Sequence, residues 1–387
     1  LSAESHQPVL PTYSSSRASQ TGRAPVPATQ VTVEALDEAG RGIVRIDGRA
    51  VLVEGALEGE TIVCRARKRR RQVQQADLLE VREAAPSRID PVCRHFDTCG
   101  GCRIQHMSHD AQLALKQQGL LRAFSAHGGL APDTLVEALA GSPQGYRRRA
   151  RLGVKYVPGK GGALVGFREK QGAKLAELET CAVLEPRVGG EIKNIRRLID
   201  KLTISHRIPQ LEIAMGDAGT ALVLRHLEPL SESDCETLVA FVRERDWQLY
   251  LQPAGPDSVA PLWPVNPPPL SYALPAFDLE FEFLPMDFIQ VNAAMNHALV
   301  GVAMKHLDLH ADCRVLDLFC GIGNFSLAVA RHGVAQVLGV EGDPGLVARA
   351  AHNARRNRID NASFVSADLN RMEEQWSWRR ETWDRLL

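Results

Sequence analysis

The stretch VLDLFCGIGNF, residues 315–325, constrains the fold more than any other part of the chain. A buried-type strand, CRVLDLF, runs into a Gly-x-Gly turn, and the helical pattern FSLAVARHG follows at once. The rhythm continues with strand AQVLGVE, helix GLVARAAHNARRN and strand ASFVSAD. Strands and helices alternating at this spacing build a parallel sheet, because each crossover lays its helix back on a face of the sheet. Upstream, FIQVNAAMNHALVGVAMKHLDL predicts one helix with Met295, Leu299, Val302 and His306 on one side.

Ligands of open α/β sheets sit at the carboxyl ends of the strands. Gly321 and Gly323 allow a close backbone approach there, and Asp317 lies at the same end. The next strand ends in Glu341, an acid placed to accept hydrogen bonds from ribose hydroxyls. The third ends at Asp368, within reach of an adenine amino group or water. Ser326 occupies the last glycine position of the dinucleotide pattern G-x-G-x-x-G, so that pattern is not matched. D-x-x-x-G-x-G with a second-strand acid fits S-adenosylmethionine better than NAD.

The other end of the chain has a different period. QVTVEAL, GIVRI, AVLVEG, ETIVCRAR and QADLLEV are short β-branched segments separated by DEAGRG, DGR and GALEGE. They predict a small antiparallel barrel over residues 28–84. Residues 1–27, rich in Ser, Pro and Arg, lack periodicity and are expected to be disordered, with an organelle transit sequence as the alternative. SHDAQLALKQQGLLRAFSAHGG predicts a helix whose face holds Leu113, Leu120, Leu121 and Phe124. Residues 145–265 are mixed and strand-rich, with helices near 186–202 and 231–246, and PLWPVNPPPL marks a boundary. The reading is therefore an α/β multidomain chain: 1–27 disordered, 28–84 a small barrel, 85–265 a mixed central domain, 266–387 an α/β domain with a parallel sheet.

The eight cysteines are too sparse for a disulfide scaffold in 387 residues. Three of them cluster as C-x5-C-x2-C in CRHFDTCGGCRIQH, and clustered thiols in a reducing compartment suggest a metal. Thiolates serve zinc and iron–sulfur clusters alike, so both stay open. The radical C-x3-C-x2-C spacing is absent. Cys64, Cys235 and Cys313 read as small buried residues.

Lys plus Arg equals Asp plus Glu at 46 each, so net charge points to no partner. Local charge does. Arg65, Arg67, Lys68, Arg69, Arg70 and Arg71 form a run suited to phosphates; its alternative is a solvated strand end. Arg147, Arg148, Arg149 and Arg151 form a second group, balanced between RNA contact and internal support. Phe96 either stacks on a base or packs inside. No apolar run approaches the roughly 20 residues of a membrane helix.

Four of these strings together resemble one family, the RNA uracil-5-methyltransferases: CRHFDTCGGCRIQH with the later ETC at Cys181, GYRRRARLGV, DFIQVN and DLFCGIGNF. Within it the chain is similar to the RlmD (RumA-type) branch, which methylates a uracil of 23S ribosomal RNA. The resemblance runs from about residue 28 to the end. It implies an OB-like, TRAM-type RNA-binding barrel, a Rossmann-like S-adenosylmethionine-dependent methyltransferase domain of which the chain holds the N-terminal part, and a [4Fe–4S] cluster on Cys93, Cys99, Cys102 and Cys181. It also implies S-adenosylmethionine contacts from Gln290, Phe319, Asn324, Glu341 and Asp368, where Asp368 stands at a position that can carry Asn.

In that family a cysteine thiolate adds to uracil C6, C5 then attacks the methyl group, and a base removes the C5 proton. The target base first leaves its stack. The cysteine, the base and a D-P-[PA]-R-[AG]-G motif follow the third strand. None is present before WDRLL, and Cys320 of the glycine loop is not the counterpart of the nucleophile. With a Leu at residue 1, this leads to the expectation of a fragment with no catalytic residue of its own and no methyl transfer. Its first cofactor-domain strand would also lack a neighbour on one edge. A cytoplasmic monomer acting on 23S ribosomal RNA, away from membranes, is the expected setting. A transfer-RNA uracil methyltransferase and a non-catalytic RNA-binding iron–sulfur protein are the alternatives.

Overall fold

In the computed structural model, which describes residues 27–67, 74–371 and 376–387, the chain divides into two compact units, 1–138 and 139–387. The segment expected to be disordered falls, but for Pro27, outside the described residues.

In the first unit the period-two pattern gives β1 (Ala28–Thr32), β2 (Ala35–Leu36), β3 (Gly42–Ile46), β4 (Arg49–Val53), β5 (Thr61–Ala66) and β6 (Gln74–Glu83). They form one sheet in the order β1-β5-β6-β4-β3-β2. Val51 and Val53, and Ile62 and Cys64, are buried at alternate positions and meet Val44 and Val81 in a single core. Each such side chain contributes about 1.5–3 kcal/mol over its exposed state. Pairing is antiparallel except between β4 and β6, which run parallel. The buried Glu60 carboxylate accepts the Leu57 N–H (2.8 Å) and pairs with Arg88, whose Nη2 donates to Oε2 (2.8 Å). This brace ties the sheet to the cysteine segment. α1 (His109–Gly128) follows. It buries Leu115 against Leu57, Ala85 and Met107, whereas Leu120 and Phe124 are 56% and 43% exposed. The expected apolar face is thus displaced: the small core reaches only the first turns of the helix.

The second unit starts with β7 (Arg149–Val157), β8 (Gly162–Gly166), α2 (Pro186–Gly189), α3 (Ile192–Asp200), β9 (Gln210–Met215), β10 (Thr220–Arg225), α4 (Glu232–Arg243), β11 (Gln248–Gln252) and β12 (Ala260–Trp263). The sheet order is β12-β11-β10-β9-β7-β8. Its parallel pair is β10–β11, joined through α4. Ser231 and Asp234 start α4 with a reciprocal capping box. On α3, Ile192, Ile195 and Ile199 are buried at helical spacing.

A hairpin of β13 (Leu270–Leu274) and β14 (Leu279–Phe283) leads to α5 (Ala293–His306). Then come β15 (Arg314–Leu318), α6 (Ser326–Arg331), β16 (Gln336–Glu341), α7 (Pro344–Arg356), β17 (Ala362–Ser366) and β18 (Arg385–Leu386). The sheet order is β17-β16-β15-β18, parallel throughout.

Two expectations change here. FIQVN is not helical: α5 begins at Ala293 because Asn292 caps it, its side chain accepting the Met295 N–H. The buried positions of α5 are Asn296 and Val300, while Leu299 is 44% exposed. The second edge of β15 is paired, not bare. Leu387 N–H donates to Leu316 O (2.9 Å) and Leu318 N–H to Leu387 O (3.0 Å), and the apolar Leu387 packs on the core.

Candidate cofactor site and nucleic-acid surface

The backbone turns sharply where β15 ends. Phe319 has φ +60°, Gly321 +56° and Gly323 +88°. The two glycines adopt this left-handed region at little cost, whereas for a bulky residue such as Phe319 it is strained. Phe319 is also 66% exposed. Nothing lies within 4 Å of where a side chain at Gly321 would start, so this side of the loop is open.

Glu341 ends β16 beside the loop. Its Oε2 accepts the Gly321 N–H (3.1 Å), and Oε1 accepts those of Gly342 (2.7 Å) and Asp343 (3.1 Å). A carboxylate has about four acceptor sites, so roughly one remains for a ribose hydroxyl. Asp317 is buried under the loop and accepts a hydrogen bond from Ser326 Oγ (2.5 Å). Burial pushes its carboxyl up to about 6, the Ser326 bond opposes this, and Glu341 adds to it. Ser326, at the position that broke the dinucleotide pattern, is therefore a partner of this acid.

Cys320 is buried, its Sγ near the place a side chain on Gly339 would need. Burial first, then Asp317 and Glu341, push its thiol far above the ordinary range. Burial of this kind makes a thiol less reactive.

Asn324 is held from two sides, by Asn296 and by Tyr272. Neither partner stands out in the sequence. A lone Asn among the small and apolar residues of α5 is the available signal. Asp368 is exposed, and its Oδ1 accepts the Asn370 N–H (3.1 Å). Gln290 is exposed on the loop between β14 and α5. That loop is fastened by Arg149 Nη2, which donates to Met286 O (2.9 Å), and by Arg148 N–H, which donates to Val291 O (2.8 Å). Asp287 accepts the Leu284 N–H (2.7 Å) and lies 3.4 Å from Arg349 Nε. Phe288 beside it is 63% exposed.

The second arginine group is engaged in local pairing, with Arg147–Arg149 half-buried and Arg151 exposed. Arg148 pairs with Asp217 (2.5 Å), Arg151 with Glu212 (2.9 Å), and Arg147 Nε donates to Arg149 O (2.9 Å). Of the first basic run, Arg67 is bound to Asp77, Arg65 is exposed, and Lys68–Arg71 lie outside the described residues. Phe96 is buried with its ring 5.4 Å from that of His106, which settles it as a packing residue.

Cys93, Cys99 and Cys102 share the loop between β6 and α1, and Cys181 lies between β8 and α2. The Cys93 N–H donates to Gln105 Oε1 (3.2 Å), and the Gly101 N–H points at Cys99 Sγ (3.4 Å). Thiol donors with such an N–H contact suit soft metal centres. Among the described residues no three His, Cys, Asp or Glu side chains are drawn together around a metal position. Cys64 and Cys313 are fully buried and Cys235 half-buried.

Comparison with known proteins adds a second line. A family model described as tRNA (Uracil-5-)-methyltransferase matches residues 274–385, and one described as TRAM domain matches residues 29–79. The chain is 44% identical over 361 residues to a 23S rRNA (uracil(1939)-C(5))-methyltransferase RlmD of Xanthomonas campestris, covering 92% of this chain and 81% of that one. It is 46% identical over 360 residues to an RlmD of Nitrosococcus oceani, covering 92% and 80%. In fold it is similar to the tRNA (uracil-54, C5)-methyltransferase of Pyrococcus abyssi in complex with S-adenosyl-L-homocysteine. The TM-score is 0.68 at 18% identity, covering 90% of this chain and 81% of that one.

Proposed function

The chain belongs to the RlmD family of 23S rRNA (uracil-C5)-methyltransferases, and on that premise we propose that it methylates C5 of one uracil in 23S ribosomal RNA. The observation that carries the reading is the identity of 42–46% spanning more than nine-tenths of the chain, so that barrel, cysteine loop and glycine loop match together. S-adenosylmethionine, when bound, supplies a methyl group on a sulfonium and hence an electrophile.

The residues here bind and orient. Glu341 offers its remaining acceptor site to the ribose while holding the Gly321 N–H. Gln290, Phe319, Asn324 and Asp368 complete the set of side chains we assign to the cofactor. Arg149 and Asp287 hold the loop that carries Gln290. The TRAM domain supplies an RNA-binding module. Cys93, Cys99, Cys102 and Cys181 are the side chains we assign to a [4Fe–4S] cluster.

The test is disruption of the gene, followed by nucleoside analysis of purified 23S and transfer RNA. Loss of one 5-methyluridine from 23S RNA, at the position named in the relatives, supports the reading. Unchanged 23S RNA overturns it. Loss from transfer RNA would favour the substrate named for the Pyrococcus protein.

A further inference from the structure

We propose that Asn296 and Tyr272 are positioning residues that set the glycine loop for its cofactor by locking the side chain of Asn324. The proposal rests on the cofactor reading above. Asn296 Nδ2 donates to Asn324 Oδ1 (2.9 Å), and Asn324 Nδ2 donates back to Asn296 Oδ1 (2.8 Å), closing a two-bond ring. Tyr272 Oη donates to the same Asn324 Oδ1 (2.9 Å). Both lone pairs of that oxygen are then in use, and a single N–H of the amide is left for a ligand. Asn324 can therefore meet the cofactor through that N–H and its backbone, not through its carbonyl oxygen.

Both supports are rigid. Asn296 is 3% and Tyr272 7% exposed. The tyrosine ring is stacked on Phe281, with centroids 5.0 Å apart and planes at 9°. Its hairpin is fixed in turn to the six-stranded sheet: Asp217 N–H donates to Ser271 O (2.7 Å), and Asp217 Oδ2 accepts the Ala273 N–H (2.8 Å). Three polar side chains meeting in an otherwise apolar core are costly unless each is satisfied. Here they converge on the residue after Gly323, in a loop whose glycines leave it free to move. Fixing that residue in advance removes ordering entropy from the binding step.

The experiment is calorimetric titration of S-adenosyl-L-homocysteine into the wild-type chain, Tyr272→Phe, Asn296→Ala and Asn324→Ala, and into each of the first two combined with Asn324→Ala. Melting temperatures without ligand are recorded alongside. Tyr272→Phe keeps the ring stack and removes one hydrogen bond, so Kd should rise about fivefold with little change in apo melting; Asn296→Ala should raise it about tenfold or more. In the Asn324→Ala background neither substitution should weaken binding further, because both act through that amide. Unchanged Kd in the single variants, or equal losses in the Asn324→Ala background, would overturn the proposal while the cofactor reading stands. Failure of the wild-type chain to bind overturns both.

Discussion

Asp317 carries the clearest pH signature of any single residue in the site. Its carboxyl stands at about 6 in the folded chain against 3.8 when solvated, chiefly because it is buried. Between those values the folded state binds more protons than the unfolded one, so this group's contribution to stability falls as pH rises through the window and is level above about 6. The fall is at most about 3 kcal/mol. Asp317→Asn keeps the shape and removes the titration. The stability of wild type relative to Asp317→Asn should therefore decline from acid to neutral pH, read by urea unfolding through the window. A difference that does not vary with pH would refute the assignment. Asp317 and Glu341 are legible in the sequence because strand ends are. The Ser326 bond is not, since a serine replacing a glycine reads only as a mismatch. Nor is the pairing of Arg148 and Arg151, whose partners Asp217 and Glu212 come from strands and turns more than sixty residues away.

At the scale of elements, periodicity works wherever one face meets a core. β3 to β6, α3, α4 and the alternating strands and helices from β15 to β17 stand where their patterns put them. It fails in α5, whose sides are apolar nearly all round, so that the pattern cannot tell the buried side from the exposed one. It fails again in α1, where the small core reaches Leu115 but leaves Leu120 and Phe124 exposed. The cysteine loop is an irregular element defined by its anchors. Glu60 and Arg88 hold its start, Phe96 is buried in it, and the Phe96 N–H donates to Cys93 O (2.9 Å). Such a loop has few ways to rearrange its thiols. Protein prepared without oxygen should contain iron and acid-labile sulfide in equal amounts. Cys99→Ser should lose most of both, with visible absorption falling in step. Zinc in place of iron, bound by the same cysteines, would decide for the other thiolate centre.

For the whole molecule the electrostatic question is where an RNA-binding chain of zero net charge gets its attraction. Phosphate binding depends on local cations that displace counterions from the nucleic acid, and a cation already paired with a carboxylate has less to offer. Arg148 pairs with Asp217, and Arg149 and Arg151 share Glu212, so the four arginines of residues 147–151 are only partly offset. The run RARKRRR starts at Arg65, exposed at the end of β5, and has no acid within it, so it is the candidate for the larger share of phosphate binding. Charge reversal of Lys68–Arg71 should weaken binding of a 23S RNA fragment and reduce the slope of log K against log salt by about 0.7 for each phosphate no longer neutralised. Arg151→Gln removes a single cation that shares Glu212 with Arg149, so it should reduce the slope far less. Binding measured across a salt series separates the two: a flattened slope in Arg151→Gln with an unaltered one in the reversed run would move the RNA surface from the barrel to the central sheet.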